Sequence, residues 1–216
     1  MTREQAYKTE SIAENHRERG EFVRAGEYYT LAAYEYLGDH PPGRFGKGVS
    51  KGLYYLLHSV VCYRLGTLSE RARLRCEQGI LVAQDMQERL QHKSTLENDF
   101  DRARAGAWDE FIGDFAVLAD SPDRATEAYD AARATYTEAE RFSLGVAEQE
   151  HMNLIAFYED LARILDEDME EWYDRRASLS FPEWIDHKRD QLPEFYETVI
   201  KRYPPGEAWE AISRRK

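Results

Sequence analysis

A carboxylate and an imidazole stand one helical turn apart at Glu148-x-x-His151. That spacing places both on one face of a helix, the pairing by which helical bundles hold di-iron centres. Such centres need a second Glu-x-x-His and further glutamates, and the chain contains no second copy. His151 also falls on an apolar stripe. The expectation is a core histidine with a hydrogen-bond partner, with no metal and no other cofactor.

Gly43-Arg44-Phe45-Gly46-Lys47-Gly48 is the one basic, glycine-rich stretch, and it precedes a helical segment. Exposed amides at a helix start attract anions, which makes Arg44, Gly46, Lys47 and Gly48 a candidate anion-binding loop. Two residues rather than four separate the glycines, and Gly48 stands where a P-loop has its hydroxyl residue. A connector between helices is the competing reading, and it is the stronger one. Cys62 and Cys76 sit at interior-looking positions of neighbouring helices and read as buried structural thiols rather than a redox pair. No Ser-His-Asp elbow, His-Glu-x-x-His or dinucleotide fingerprint occurs. Catalysis is therefore unsupported by any local motif, although a constellation assembled in three dimensions leaves none.

Composition narrows the partners. Asp and Glu number 41 against 29 Lys and Arg, for a net charge of −12 over 216 residues. Nonspecific nucleic-acid binding draws on Lys and Arg to displace counterions, so nucleic acid is not an expected partner. The start of the chain has no apolar core for a signal peptide. The longest apolar run, Leu53 to Tyr63, is far short of the ~20 residues that cross a bilayer. With two cysteines and no framework spacing, a cytoplasmic protein without membrane contact is expected. The acidic, Lys-poor balance resembles that of proteins from salt-loving archaea.

These residues must be positioned by helices. Apolar side chains recur at spacings of three and four, as in Tyr28, Tyr29, Ala32, Ala33 and Tyr36, and almost no segment alternates with period two. The breakers Arg19-Gly20-Glu21, Gly66-Thr67 and Asp120-Ser121-Pro122-Asp123 split the chain into helix pairs over about 3–37, 49–92 and 95–141. A single long helix is expected over about 145–176. A C-terminal extension over 177–216 restarts at Ser180-Phe181-Pro182-Glu183, with Pro193 a candidate kink, and is expected to pack on the array.

Aligning the breaks exposes a repeat. Ala25, Tyr29 and Ala32 follow the first turn, and Ala125, Tyr129 and Ala132 follow the third. Ala72, Cys76 and Gly79 keep that spacing with smaller residues. Small residues let two helices approach, and the aromatic fills the gap beside them. The turn Glu18-Arg19-Gly20-Glu21-Phe22-Val23-Arg24-Ala25 resembles the turn and second helix of tetratricopeptide repeats. Trp108 with Ile112-Gly113 and Phe115 resembles their first helix, one residue off the usual spacing. The resemblance implies an all-α stack of antiparallel helix pairs, a short superhelix with extra C-terminal helices. It also implies a concave groove lined by the first helix of each pair, here Tyr7, Glu10, Glu14, Arg17, Leu56, Val60, Tyr63, Glu110 and Asp114. The expected function is a protein-interaction or adaptor module taking a basic or amphipathic peptide in that groove. The rival is a helical enzyme or small-molecule sensor with its site inside the stack. A homo-oligomer is compatible with either.

Overall fold

A computed structural model describes residues 3–38, 47–92, 99–139 and 148–202. It is all-helical in these residues: α1 (Arg3–Glu18), α2 (Phe22–Gly38), α3 (Lys47–Leu65), α4 (Ser69–His92), α5 (Asp99–Leu118), α6 (Pro122–Ala139), α7 (Glu148–Ile164), α8 (Met169–Ser178) and α9 (Phe181–Arg202).

One turn is used four times. Gly20, Thr67, Asp120 and Asp166 have φ of 72, 62, 57 and 60° respectively, each just past the end of a helix. The amide of each donates to the carbonyl three residues back, at Arg17, Arg64, Val117 and Arg163. The next amide donates five residues back, to His16, Tyr63, Ala116 and Ala162. This is the Schellman cap, which satisfies the last carbonyls of one helix and reverses the chain. In the first three turns the following helix starts in the same register, with Ala25, Ala72 and Ala125 donating to Glu21, Leu68 and Ser121.

Shared register delivers the expected small residues to the interior. Ala25, Ala32, Ala72, Ala125 and Ala132 are all buried, as are Tyr29, Cys76 and Tyr129 between them. Close approach is needed where these helices meet their neighbours. A Cβ at Gly79 would come within 2.3 Å of the Phe115 ring, and one at Gly113 within 2.5 Å of the Tyr129 ring.

The pairs stack so that α1, α3 and α5 form an inner layer and α2, α4 and α6 an outer one. Arg71 with Glu27 and Tyr34 with Gln78 tie α4 to α2 along the outer layer. α9 packs chiefly on α6, in the place the next inner helix would take. At its start the Glu183 carboxylate reaches back to the residue before the helix: Ser180 donates through its amide and its Oγ to Glu183 Oε2, at 2.9 and 2.7 Å. α9 runs unbroken through Pro193, which is exposed.

The expected single helix over 145–176 is corrected. α7 ends at Ile164, the fourth turn follows, and Asp168 caps α8 by accepting from the amides of Glu170 and Glu171. The apolar spacing of Leu161, Leu165 and Met169 suits one continuous helix, yet the Schellman turn at Asp166 also meets every local hydrogen bond. Here Trp172 stands where the other pairs have alanine, because this turn is one residue longer and α8 is a short helix of ten residues. Among the described residues no helix is long and apolar enough to cross a membrane.

Candidate functional site on the inner face

The inner face is largely occupied by the chain itself. α7 lies across α3 and α5, and α9 closes over α5. Asn153 Nδ2 donates to Ser50 Oγ at 2.8 Å, and Phe157 meets the His58 ring edge-on with centroids 5.5 Å apart. Leu56, Val60, Glu110 and Asp114 are fully buried and Tyr63 is 3% exposed. These five positions were expected to line an open groove. They form core instead: α9 covers Glu110 and Asp114, and the Tyr63 ring packs against Gly26 of α2. Four positions of the expected set remain outside it: Tyr7, 62% exposed, and Glu10, Glu14 and Arg17 on α1.

Glu110 and Asp114 meet a partner that the sequence reading missed. Lys188 of α9 is fully buried, with its Nζ 2.8 Å from Glu110 Oε1 and 2.7 Å from Asp114 Oδ2. Tyr136 donates to Glu110 Oε2 at 3.0 Å, and Tyr129 donates to Asp114 Oδ1 at 2.7 Å. A signal was present: Trp184, Lys188, Leu192, Phe195 and Val199 follow helical spacing, so the lysine lies on the apolar stripe of α9.

One ammonium between two carboxylates leaves a net negative charge inside the protein. Burial raises both carboxyl pKa values, and Lys188 opposes it in both. At Glu110 the charge of Lys188, with hydrogen bonds from Lys188 and Tyr136, prevails and holds the pKa below its ordinary value. At Asp114 burial and the neighbouring Glu110 prevail, and the pKa is pushed up to about 6. Lys188 is lowered by burial but raised more by the two acids, so it stays charged.

His151 borders this cluster, with Nδ1 3.7 Å from Glu110 Oε2, and is 2% exposed as a core residue. Its ring packs between Phe181 and Tyr136, with centroids 4.1 and 4.9 Å away. Among the described residues neither ring nitrogen has the expected hydrogen-bond partner. Burial lowers its pKa to about 4, so the ring is neutral at pH 7. The side chain of Glu148 lies outside the described residues. Among those described, no three His, Cys, Asp or Glu side chains converge to hold a metal ion.

A second polar constellation lies on α3 toward α1 and α7, half-buried at Lys51, Tyr54 and Asp160 and buried at Tyr55 and His58. On α3, Lys51, Tyr54, Tyr55 and His58 share one face at spacings of three and four. The Lys51 ammonium sits 4.2 Å from the Tyr54 ring centroid and 4.7 Å from that of Tyr55, and 3.7 Å from Glu10 Oε1. From α7, Asp160 Oδ2 accepts from Tyr54 Oη at 2.9 Å and lies 3.1 Å from His58 Nε2. Burial raises the Asp160 pKa, but the neighbouring His58, the charge of Arg17 and the hydrogen bond from Tyr54 outweigh it and hold the carboxyl below its ordinary value. Burial lowers the His58 pKa more than Asp160 raises it. The sequence reading found the α1 residues of this constellation and missed Lys51, Tyr54, His58 and Asp160.

Of the candidate anion loop, Arg44 and Gly46 lie outside the described residues, as does the Lys47 side chain. Gly48 is buried in the first turn of α3. Cys62 and Cys76 are free and buried, and burial pushes both thiols up to about 12, well away from thiolate chemistry at neutral pH. No family model, no curated protein and no solved structure matches the chain.

Proposed function

We propose that the protein is an interaction module of the helical-repeat kind, related to tetratricopeptide repeats in its turns and small residues. The turns recur at positions 20, 67, 120 and 166, at intervals longer than the roughly 34 residues of the tetratricopeptide consensus. The ligand-contacting surface in this reading is the first pair, with Tyr7, Glu10 and Glu14 facing outward beside α7. The ligand is a basic amphipathic segment of a partner protein. The observation that carries the reading is Lys51, whose ammonium rests on two tyrosine rings next to Glu10. A surface that seats its own lysine in this way suits a lysine or arginine of a partner, with Tyr7 supplying apolar contact. Three carboxylates, Glu10, Glu14 and Asp160, line the two walls and would reject acidic partners.

The test is fluorescence anisotropy with two labelled amphipathic helical peptides of equal hydrophobicity, one Lys-rich and one Glu-rich. The basic peptide is expected to bind, and Tyr7→Ala to weaken it by at least about 1 kcal/mol. Glu10→Gln is expected to matter at low ionic strength and to fade at high salt. Equal binding of both peptides, or wild-type affinity in both variants, would end this reading.

A further inference from the structure

In the outer layer α2 and α4 run side by side, parallel and in fixed register. Arg71 donates to Glu27 at 3.1 Å and Tyr34 donates to Gln78 at 3.0 Å, and each pair is 44 positions apart. On that register Leu31 stands level with Arg75, with Leu74 beside it and Leu81 two turns further along the same face of α4. Leu31, Tyr34, Leu74 and Leu81 are 45, 40, 46 and 66% exposed. They are four of the eight large apolar side chains that the described residues leave exposed, so this surface is a patch rather than scatter.

An arginine without an acid lies at its centre. Arg75 Nη1 donates to Tyr34 Oη at 2.5 Å and to Gln78 Oε1 at 2.7 Å, and the guanidinium sits 5.7 Å from the Tyr34 ring centroid. The neighbouring cations are matched: Arg71 by Glu27, Arg73 by Glu70 and Glu77, and Arg89 by Asp85. Among the described residues Arg75 forms no ion pair, and both of its hydrogen bonds leave from Nη1. Its Nε is closed off from solvent, whereas Nη2 keeps its donors for a group from outside. An arginine and a tyrosine fixed by each other and flanked by leucines have the composition of an interface hot spot.

Charge and spacing select the occupant. A helix laid along the seam sets residues seven apart on Leu74 and Leu81, and one carboxylate on its apolar face meets Arg75 Nη2. A run of acids does not fit, because Glu27, Glu70, Glu77 and Asp85 surround the patch. A second copy joined symmetrically through this patch would set Arg75 against Arg75. We propose that the α2–α4 seam is a docking surface for an amphipathic helix of a partner protein that carries a single carboxylate among its apolar residues, the carboxylate on Arg75 and the apolar side chains on Leu31, Leu74 and Leu81. The inference goes beyond the inner-face reading, since it lies on the outer layer and uses none of Tyr7, Glu10 and Glu14.

The experiment titrates the full-length protein into two labelled amphipathic helical peptides with blocked ends and uncharged polar faces. They are identical except for one Glu or one Gln among the leucines. The Glu peptide is expected to bind saturably and at least about fivefold more tightly than the Gln peptide. Arg75→Gln is expected to abolish that preference while the Gln peptide still binds. Leu81→Ser, at an exposed position, is expected to weaken both peptides at least about fivefold with an unchanged melting temperature. Equal affinity of the two peptides for the wild type, or a preference that survives Arg75→Gln, overturns the proposal. Binding lost in Tyr7→Ala but kept in Leu81→Ser puts the peptide on the inner face and overturns it as well. Self-association in sedimentation that Leu81→Ser abolishes overturns it in favour of a second copy. No saturable binding of either peptide overturns it outright, and the Lys-rich peptide with Tyr7→Ala still decides the inner-face reading separately.

Discussion

Lys188 Nζ lies 2.8 Å from Glu110 Oε1, joining α9 to α5 across 78 positions of sequence, and both side chains are fully buried. The pair fixes how the C-terminal helix seats on the array, because the ammonium must reach two carboxylates on successive turns of α5. Replacing a buried ion cluster as a whole can be neutral, whereas removing one partner strands the others.

Lys188→Met is therefore expected to cost about 3–5 kcal/mol in chemical denaturation. Adding Glu110→Gln and Asp114→Asn to that variant should recover most of the loss, since the amides keep acceptors for Tyr136 and Tyr129 without charge. A triple variant no more stable than the single one would show that the cluster contributes net stability as an ion network.

Two groups of the cluster oppose each other in acid. Asp114, with its pKa raised to about 6, is stabilising below its ordinary value near 3.8, and that contribution is lost as pH rises through 6. His151, with its pKa lowered to about 4, is stabilising above 6.5, and that contribution is lost as pH falls through 4. Between pH 4 and 6 the two slopes offset. Asp114→Asn removes one of them, so this variant is expected to lose about 1–3 kcal/mol relative to wild type as pH falls from 6 to 4. Denaturation curves at half-unit pH steps check it, and parallel curves for the two proteins would refute it.

The seams between helices leave no room for added atoms. Gly79→Ala would drive a Cβ into the Phe115 ring, and Ala125→Leu would add three carbons at a site 6% exposed. Each is expected to cost about 1–3 kcal/mol. An unchanged melting temperature in either would mean that the seam relaxes freely.

Salt acts on two populations of surface charge. Exposed pairs such as Arg73 with Glu70 and Arg175 with Glu171 weaken as salt rises, but pairs of this kind contribute little. The uncompensated net charge of −12 repels itself at every salt concentration that leaves it unscreened. Molar KCl is accordingly expected to raise the melting temperature. A flat or falling profile would remove the resemblance to proteins of salt-loving organisms.

What could be read without the structure was local. Gly20, Gly66-Thr67 and Asp120-Ser121-Pro122 announced three of the four turns, and Ala25, Ala72 and Ala125 shared one register, because caps and helical periodicity involve residues within a few positions of one another. The fourth turn, at Asp166, was hidden under an apolar stripe that suits one long helix as well as two. Tyr7, Glu10, Glu14 and Arg17 were placed on one face of α1 by the resemblance to tetratricopeptide repeats.

The sequence by itself thus determined an all-helical chain, the inward faces of most helices and an acidic surface. Only the tertiary structure decided that Glu110 and Asp114 are core acids held by Lys188, that Leu56 and Val60 are fully buried, and that Asp160 faces Tyr54 across 106 positions. The reason is physical. Helix formation is driven by hydrogen bonds four residues apart, while the fate of a polar side chain depends on which distant helix desolvates it. That choice is made by the packing of whole elements: a local stripe can mark Lys188 as inward-facing but does not name its partners.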